Sequence, residues 1–265
     1  MFSAEVIAAL AVGAALALVI PIAAAVVFKL KNRETWLPSL FIGAGTFILF
    51  ALVLEQLLHA VMIPIIKDNA ILYSVYGALA AGIFEETGRL VAYKTLMRKH
   101  YTTKNAVLMG LGHGGIEAII ALGLTLTMLL VLAVMSNSMG IDKTLEIIAN
   151  GNSEIAQTPL EAQLESLRDY NFASMATGVY ERIIALTFHT CMSVVVYKSV
   201  SQKGKIWLYP TAIVLHALLD FPAAMYQTGI ITSIPVVYAI MTVFVAAVAF
   251  GTVILAKKLP DKAVQ

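Results

Sequence analysis

Long uncharged apolar runs set the first constraint on what this chain can fold into. Val6 to Phe28 and Ile119 to Met135 contain no charged side chain, and runs of that kind are too long for the one-sided helices of a soluble all-helical domain. With 60% hydrophobic and 13% charged residues, the chain also lacks the polar surface needed to coat a soluble globule. The expected fold class is therefore all-α, a polytopic bundle of membrane helices, and the first partner it implies is the lipid bilayer. A net charge of +2 gives no signal for nucleic acid.

Apolar stretches between charged punctuation give seven expected spans, near 4–28, 38–66, 71–97, 105–135, 172–197, 207–226 and 231–256. Alternate connections differ sharply in basic residues. One set carries Lys29, Lys31, Arg33, Lys94, Arg98, Lys99, Lys104, Lys198, Lys203, Lys205, Lys257, Lys258 and Lys262, whereas the opposite set carries only Lys67, Lys143 and Arg168. Cytoplasmic loops collect Lys and Arg, so the N-terminus is expected outside and the C-terminus in the cytosol. Basic residues follow rather than precede the first apolar run, which reads as a retained span and not a cleaved signal. Residues 1–265 read as one membrane-embedded domain, with an external loop over 136–170. Leu145, Ile148, Ile155, Leu160, Leu164 and Leu167 suggest short amphipathic helices there. The single cysteine, Cys191, lies within a span, cannot form an intramolecular disulfide and reads as packing.

Against this apolar background, Glu85-Glu86-Thr87-Gly88-Arg89 stands out in the third span. Adjacent acids in hydrocarbon cost several kcal/mol, of the order ~2–4 each, unless paired, protonated or bound. Other ionisable residues fall in the spans as well: Glu55 with His59, His113 with Glu117, Glu181 with Arg182, His189, and His216 with Asp220. A spacing of four recurs in Glu85/Arg89, His113/Glu117, His216/Asp220 and Glu55/His59, which places each pair on one helix face a turn apart. Mutual neutralisation alone would account for such pairs.

Depth separates a site from scattered pairs. Counted from the nearest basic punctuation, Glu85, His113, His189 and His216 lie roughly 14 to 20 Å from the cytosolic boundary, near the middle of a core about 30 Å thick. Four helices thus deliver ionisable groups to one level. Neutral imidazoles there can ligate zinc while a glutamate activates water, or the glutamate can act alone while histidines polarise a carbonyl. His113, His189 and His216 are the candidate metal ligands, with Glu55, Glu117 and Glu181 as supporting acids. Gly110, Gly112, Gly114 and Gly115 strip side chains from the His113 segment, as expected for a helix packed closely against the Glu85 helix. Pro222 would loosen the sixth span beyond the histidine level.

At these residues the sequence resembles the YhfC-like family of bacterial intramembrane proteases, in the superfamily that also holds the PrsW and the CAAX-prenyl and Abi-type membrane proteases. Phe84 to Arg89, His113 to Ala118, Phe188-His189 and His216 to Asp220 carry the likeness. Two residues, Thr87 and Gly88, separate the double glutamate from Arg89, closer to the PrsW arrangement than to the three residues typical of Abi-type proteases. The resemblance implies Glu85 as the catalytic carboxylate with His189 and His216 as partners, and leaves the metal and His113 open.

The expected function is an intramembrane endopeptidase of the bacterial inner membrane, acting on a membrane-embedded or membrane-proximal peptide. Glu85 is the expected base, Arg89 fixes the acid pair, Glu86 is its structural member, and Asp220 orients His216. A proton- or ion-coupled transporter is the principal alternative, because the same residue types build proton relays. A catalytically silent membrane scaffold or immunity protein is the second. Transport would be favoured by an inverted repeat with broken helices, and the sequence shows none.

Overall fold

A span with no partner for its backbone in lipid must close its hydrogen bonds internally, and the apolar runs do so as helices. The computed structural model describes residues 1–148 and 164–261, and among these the regular structure is helical throughout, without strands. In chain order the long helices are α1 (Ala4–Lys31), α2 (Pro38–Ile66), α3 (Ala70–Lys94), α4 (Thr103–Met139), the short α5 (Ile141–Ile148), α6 (Phe172–Ser201), α7 (Leu208–Gln227) and α8 (Ile234–Lys258). Six of them, all but α3 and α5, are long and apolar enough to cross a membrane. Helix α3 has 25 residues and falls outside that apolar set because it carries the acidic pair and Arg89.

Local chemistry sets the ends. Pro38 opens α2 in its first turn, where a missing N–H costs nothing, and the Asn69 side chain accepts from Leu72 N to cap α3. Helix α7 continues through Pro222 to Gln227. Two stretches depart from regular α geometry: α2 widens into π-helix over Ile48–Glu55 and α4 over Ile119–Leu124. The first ends at the intramembrane acid Glu55 and the second begins two residues after Glu117, in keeping with the frequent placement of wide turns near functional sites.

The chain divides into two compact units, Met1–Pro21 with Ala118–Ile183, and Ile22–Glu117 with Ile184–Gln265. In the first, Phe2, Val6, Leu10, Leu126, Leu145, Leu164 and Leu167 form the core. There Asn137 closes a reciprocal pair with the Phe2 backbone, accepting from its N–H at 2.6 Å and donating to its carbonyl at 2.9 Å. Of the expected loop helices, the one around Leu145 is α5; the part holding Ile155 and Leu160 lies outside the described residues.

In the second unit, α3 and α7 pack along each other, and Gly82 is what lets them. A Cβ at Gly82 would stand 2.7 Å from Ile213 O and 3.3 Å from His216 Cβ. The α4 glycines work differently from the expectation. A Cβ at Gly112 would stand 1.9 Å from Leu40 O on α2, and Gly110 and Gly114 face α6 at Thr190 Cα (2.5 Å) and His189 Cβ (3.1 Å). These glycines wedge α4 between α2 and α6, and His113 reaches from it to Glu85 on α3.

Candidate active site

Helix α3 turns both acids inward: Glu85, Glu86 and Arg89 are all buried. Around Glu85 Oε2 lie His113 Nε2 at 2.8 Å, His189 Nδ1 at 3.6 Å, Arg89 Nη2 at 3.7 Å and His216 Nε2 at 3.8 Å. Four helices supply these groups, α3, α4, α6 and α7, the set that the depth argument singles out. A carboxylate oxygen ringed by three imidazoles and a guanidinium is a charge-paired site rather than a packing accident.

The outer contacts assign each imidazole its tautomer. Glu86 Oε1 lies 2.6 Å from His216 Nδ1, which therefore carries the proton and leaves the Nε2 lone pair facing Glu85. Arg89 Nη2 donates to His189 Nδ1 at 2.8 Å. His189 Nε2 lies 2.5 Å from Glu117 Oε2, so the proton of that ring belongs on this side. The Thr46 hydroxyl donates to Gly43 O at 2.7 Å and so receives the His113 Nδ1 proton at 3.2 Å, which turns the bare Nε2 of His113 to Glu85. The Nε2 atoms of His113 and His216 and the Arg89-bonded Nδ1 of His189 thus face one carboxylate oxygen, and the 2.8 Å His113–Glu85 contact needs a proton on one of its two atoms.

Arg89 is the hub of this arrangement. Its Nη1 contacts Glu86 Oε1 at 2.5 Å while Nη2 reaches His189, so one planar guanidinium ties α3 to α6 and, through Glu86, to α7. Glu86 Oε2 and Arg89 Nε, both buried, have no hydrogen-bond partner among the described residues. Native sites rarely leave such atoms unmatched without a ligand or water to meet them.

Donor atoms of Glu85, His189 and His216 lie within 4.8 Å of one another, a spacing suited to a metal ion. His189 and His216 of the expected ligands belong to this trio, while His113 contacts Glu85 at 2.8 Å. The chemistry of the donors fits a divalent cation in a second way. Before the proton of the His113–Glu85 contact is counted, Glu85, Glu86 and Glu117, with Asp220 3.3 Å from His216, outnumber the single guanidinium of Arg89, a negative excess that a divalent cation or further protons would balance.

The remaining candidates separate. Asp220 Oδ2 stands 3.3 Å from His216 Nε2, on the side opposite the nitrogen that Glu86 holds, so Glu86 rather than Asp220 takes the orienting position at Nδ1. Glu55 is buried with His59 Nε2 3.2 Å away, and His59 Nδ1 meets the Tyr76 hydroxyl at 2.8 Å. Glu181 contacts Arg182 at 2.5 Å in the first unit. Thr46 and Tyr76 escape a reading of the sequence, since a threonine or tyrosine in an apolar run carries no charge to mark it. A cavity of about 750 Å³ between α4, α6 and α8 has Thr190 and Cys191 on its wall but none of the converging side chains.

Buried carboxylates and imidazoles gathered inside a bundle of apolar helices define a multi-pass membrane protein with a polar intramembrane centre. Residues 16–242 match the family described as YhfC intramembrane metalloprotease, and the chain belongs to that family. It is 34% identical to the uncharacterized membrane protein YhfC of Bacillus subtilis (strain 168) over 265 residues, covering 98% of this chain and 99% of that protein. No solved structure matches it. The bacterial cytoplasmic membrane is the setting that the helices and this relative give it.

Proposed function

We propose that this protein is an intramembrane endopeptidase that hydrolyses a peptide bond of a membrane-embedded or membrane-proximal substrate. The observation that carries the reading is the gathering of His113, His189 and His216 around Glu85 Oε2, each ring held by a separate partner. The family description supports the hydrolytic class. The excess of basic residues in one set of connections supports an external N-terminus and a cytosolic C-terminus.

With the shared proton on His113, Glu85 is the carboxylate placed to accept a proton from the attacking water and return it to the leaving amine. Arg89 keeps Glu86 ionised and in place, and Glu86 in turn fixes the His216 ring. Glu117 and Arg89 hold the two nitrogens of His189. Zinc suits these donor types: His189, with its Nδ1 released from Arg89, His216 and a Glu85 oxygen would hold it, and when bound it would supply Lewis-acid polarisation of the scissile carbonyl.

The reading is tested by reconstituting purified protein with candidate membrane peptides and comparing wild type with Glu85→Gln. The expected loss is about 10²–10⁴-fold in turnover, with folding intact. Equal cleavage by both proteins would remove Glu85 as the base. Active protein with far less than one bound metal per chain would remove zinc and leave the glutamate route.

A further inference from the structure

A hydrolase consumes one water for every bond it cuts, and the oxygen of that water ends in the new carboxyl group. Glu85, His113, His189 and His216 are buried, so in a bundle surrounded by lipid the water must arrive by a defined path. Asp220 is the side chain that touches the centre while staying open: it is 34% exposed and lies 3.3 Å from His216 Nε2.

Asp220 also lines a cavity of about 260 Å³ between α2, α3 and α7, together with His59, Tyr73, Tyr76 and Gln227. Polar groups of His59, Tyr73, Tyr76, Asp220 and Gln227 are set into its otherwise apolar wall. The Tyr76 hydroxyl is bonded to His59, and His59 is backed by buried Glu55. A polar cavity with several donors and acceptors holds water, and at about 30 Å³ per molecule this one has room for several. Gly77 faces the same space with no side chain; a Cβ there would meet nothing within 4 Å. Glycine at that place keeps the passage clear.

We propose that this cavity is the water route of the site, running past Tyr76, His59 and Gly77 to Asp220 and from there to His216. The use of that water in hydrolysis rests on the function proposed above, whereas the presence of water does not. The cavity sits where α2 and α7 end and α3 begins, the end that the charge pattern places outside.

Thiol accessibility tests the route independently of activity. In a Cys191→Ser background, Gly77→Cys and Ala224→Cys place a thiol in the cavity, and Leu79→Cys places one on the exposed apolar face of α3. A small cationic methanethiosulfonate is applied to membranes opened on both faces. Because the reactive thiolate forms in water and not in hydrocarbon, both cavity thiols are expected to react at least about ten-fold faster than Leu79→Cys. Rates no faster than that control overturn the proposal. Gly77→Trp, which fills the passage, is expected to slow labelling of Ala224→Cys and to lower turnover with bound metal unchanged. Blocked labelling with undiminished turnover would also overturn it. If wild type cleaves no peptide, the hydrolase reading fails, and the labelling rates still decide whether the cavity holds water.

Discussion

His216 Nδ1 lies 2.6 Å from Glu86 Oε1, and this contact decides which nitrogen of the ring is left for chemistry. Both atoms are buried, so the proton between them is shielded from competing water. Neighbouring acids on α3 thereby take different duties: Glu86 sets the tautomer of a ring on α7, and Glu85 Oε2 stands 3.8 Å from the other nitrogen of that ring.

Glu86→Gln tests that division. The amide keeps the size of the side chain but removes the charge that opposes Arg89 and raises the basicity of His216. Loss of an outer carboxylate of this kind typically weakens metal binding by about 10–100-fold, and that is the expected change in a zinc titration of the detergent-solubilised protein. Unchanged zinc affinity would show that His216 does not act through Glu86.

Arg89→Lys removes a bridge while keeping a charge. The guanidinium spans Glu86 and His189 through two different nitrogens, and a single ammonium cannot hold both contacts in the same plane. The expected result is a folded protein with turnover reduced by about 10²-fold or more, the order seen when a site is misplaced by about 1 Å. Wild-type turnover in this variant would reduce Arg89 to a counter-charge.

Much of this centre is legible in the sequence because hydrocarbon punishes every unpaired charge, so Glu85, His113, His189 and His216, at one depth on four helices, have little choice but to meet. The pairing within the centre is not legible. A spacing of four joins His216 to Asp220 and His113 to Glu117 on their own helices, yet Glu117 reaches His189 on α6 and Glu86 reaches His216 on α7. Those cross-helix choices depend on how the packed helices are rotated about their axes, which spacing along one helix does not encode. The glycines show the same limit: their spacing announces close approach, but only the packed structure shows that Gly112 serves α2 and Gly110 and Gly114 serve α6.

Helix contact through glycine gives a prediction with its own control. Gly112→Ala would place a methyl group 1.9 Å from Leu40 O, and Gly43→Ala would place one 2.0 Å from Met109 O, both against backbone that cannot step aside cheaply. Each is expected to destabilise the protein by at least about 1–3 kcal/mol, the range for overpacked sites. Gly45→Ala, two residues further on and on the exposed side of α2, meets nothing within 4 Å and should be neutral or stabilising by up to about 1 kcal/mol. Thermal unfolding in one detergent compares the three; equal melting temperatures would mean that α2 and α4 separate more readily than the structure indicates.

At the other end of the second unit, Asp261 fastens the segment after α8. Its Oδ1 accepts from Lys198 Nζ and the Tyr197 hydroxyl, both at 2.8 Å, and from the Thr103 hydroxyl at 2.7 Å; Oδ2 accepts from Thr103 N at 2.7 Å. Burial pushes the Asp261 carboxyl up, but these donors, Lys198 foremost, outweigh it and hold the group below its ordinary value of 3.8. The unfolded chain therefore takes up the proton more readily than the folded one. The stabilisation is complete above about pH 3.8 and is lost as the pH falls through the lower folded value. Lys198 is fully buried, whereas the Asp261 side chain is 29% exposed. Asp261→Ala, which leaves the buried cation only the Thr103 hydroxyl at 2.8 Å in place of a carboxylate, is expected to cost about 3 kcal/mol, and Lys198→Met less, because the freed carboxylate can reach water. Hydrogen exchange of the α8 end should rise in Asp261→Ala at neutral pH and in wild type only in acid. Equal exchange in both proteins at neutral pH would show that the clasp holds nothing.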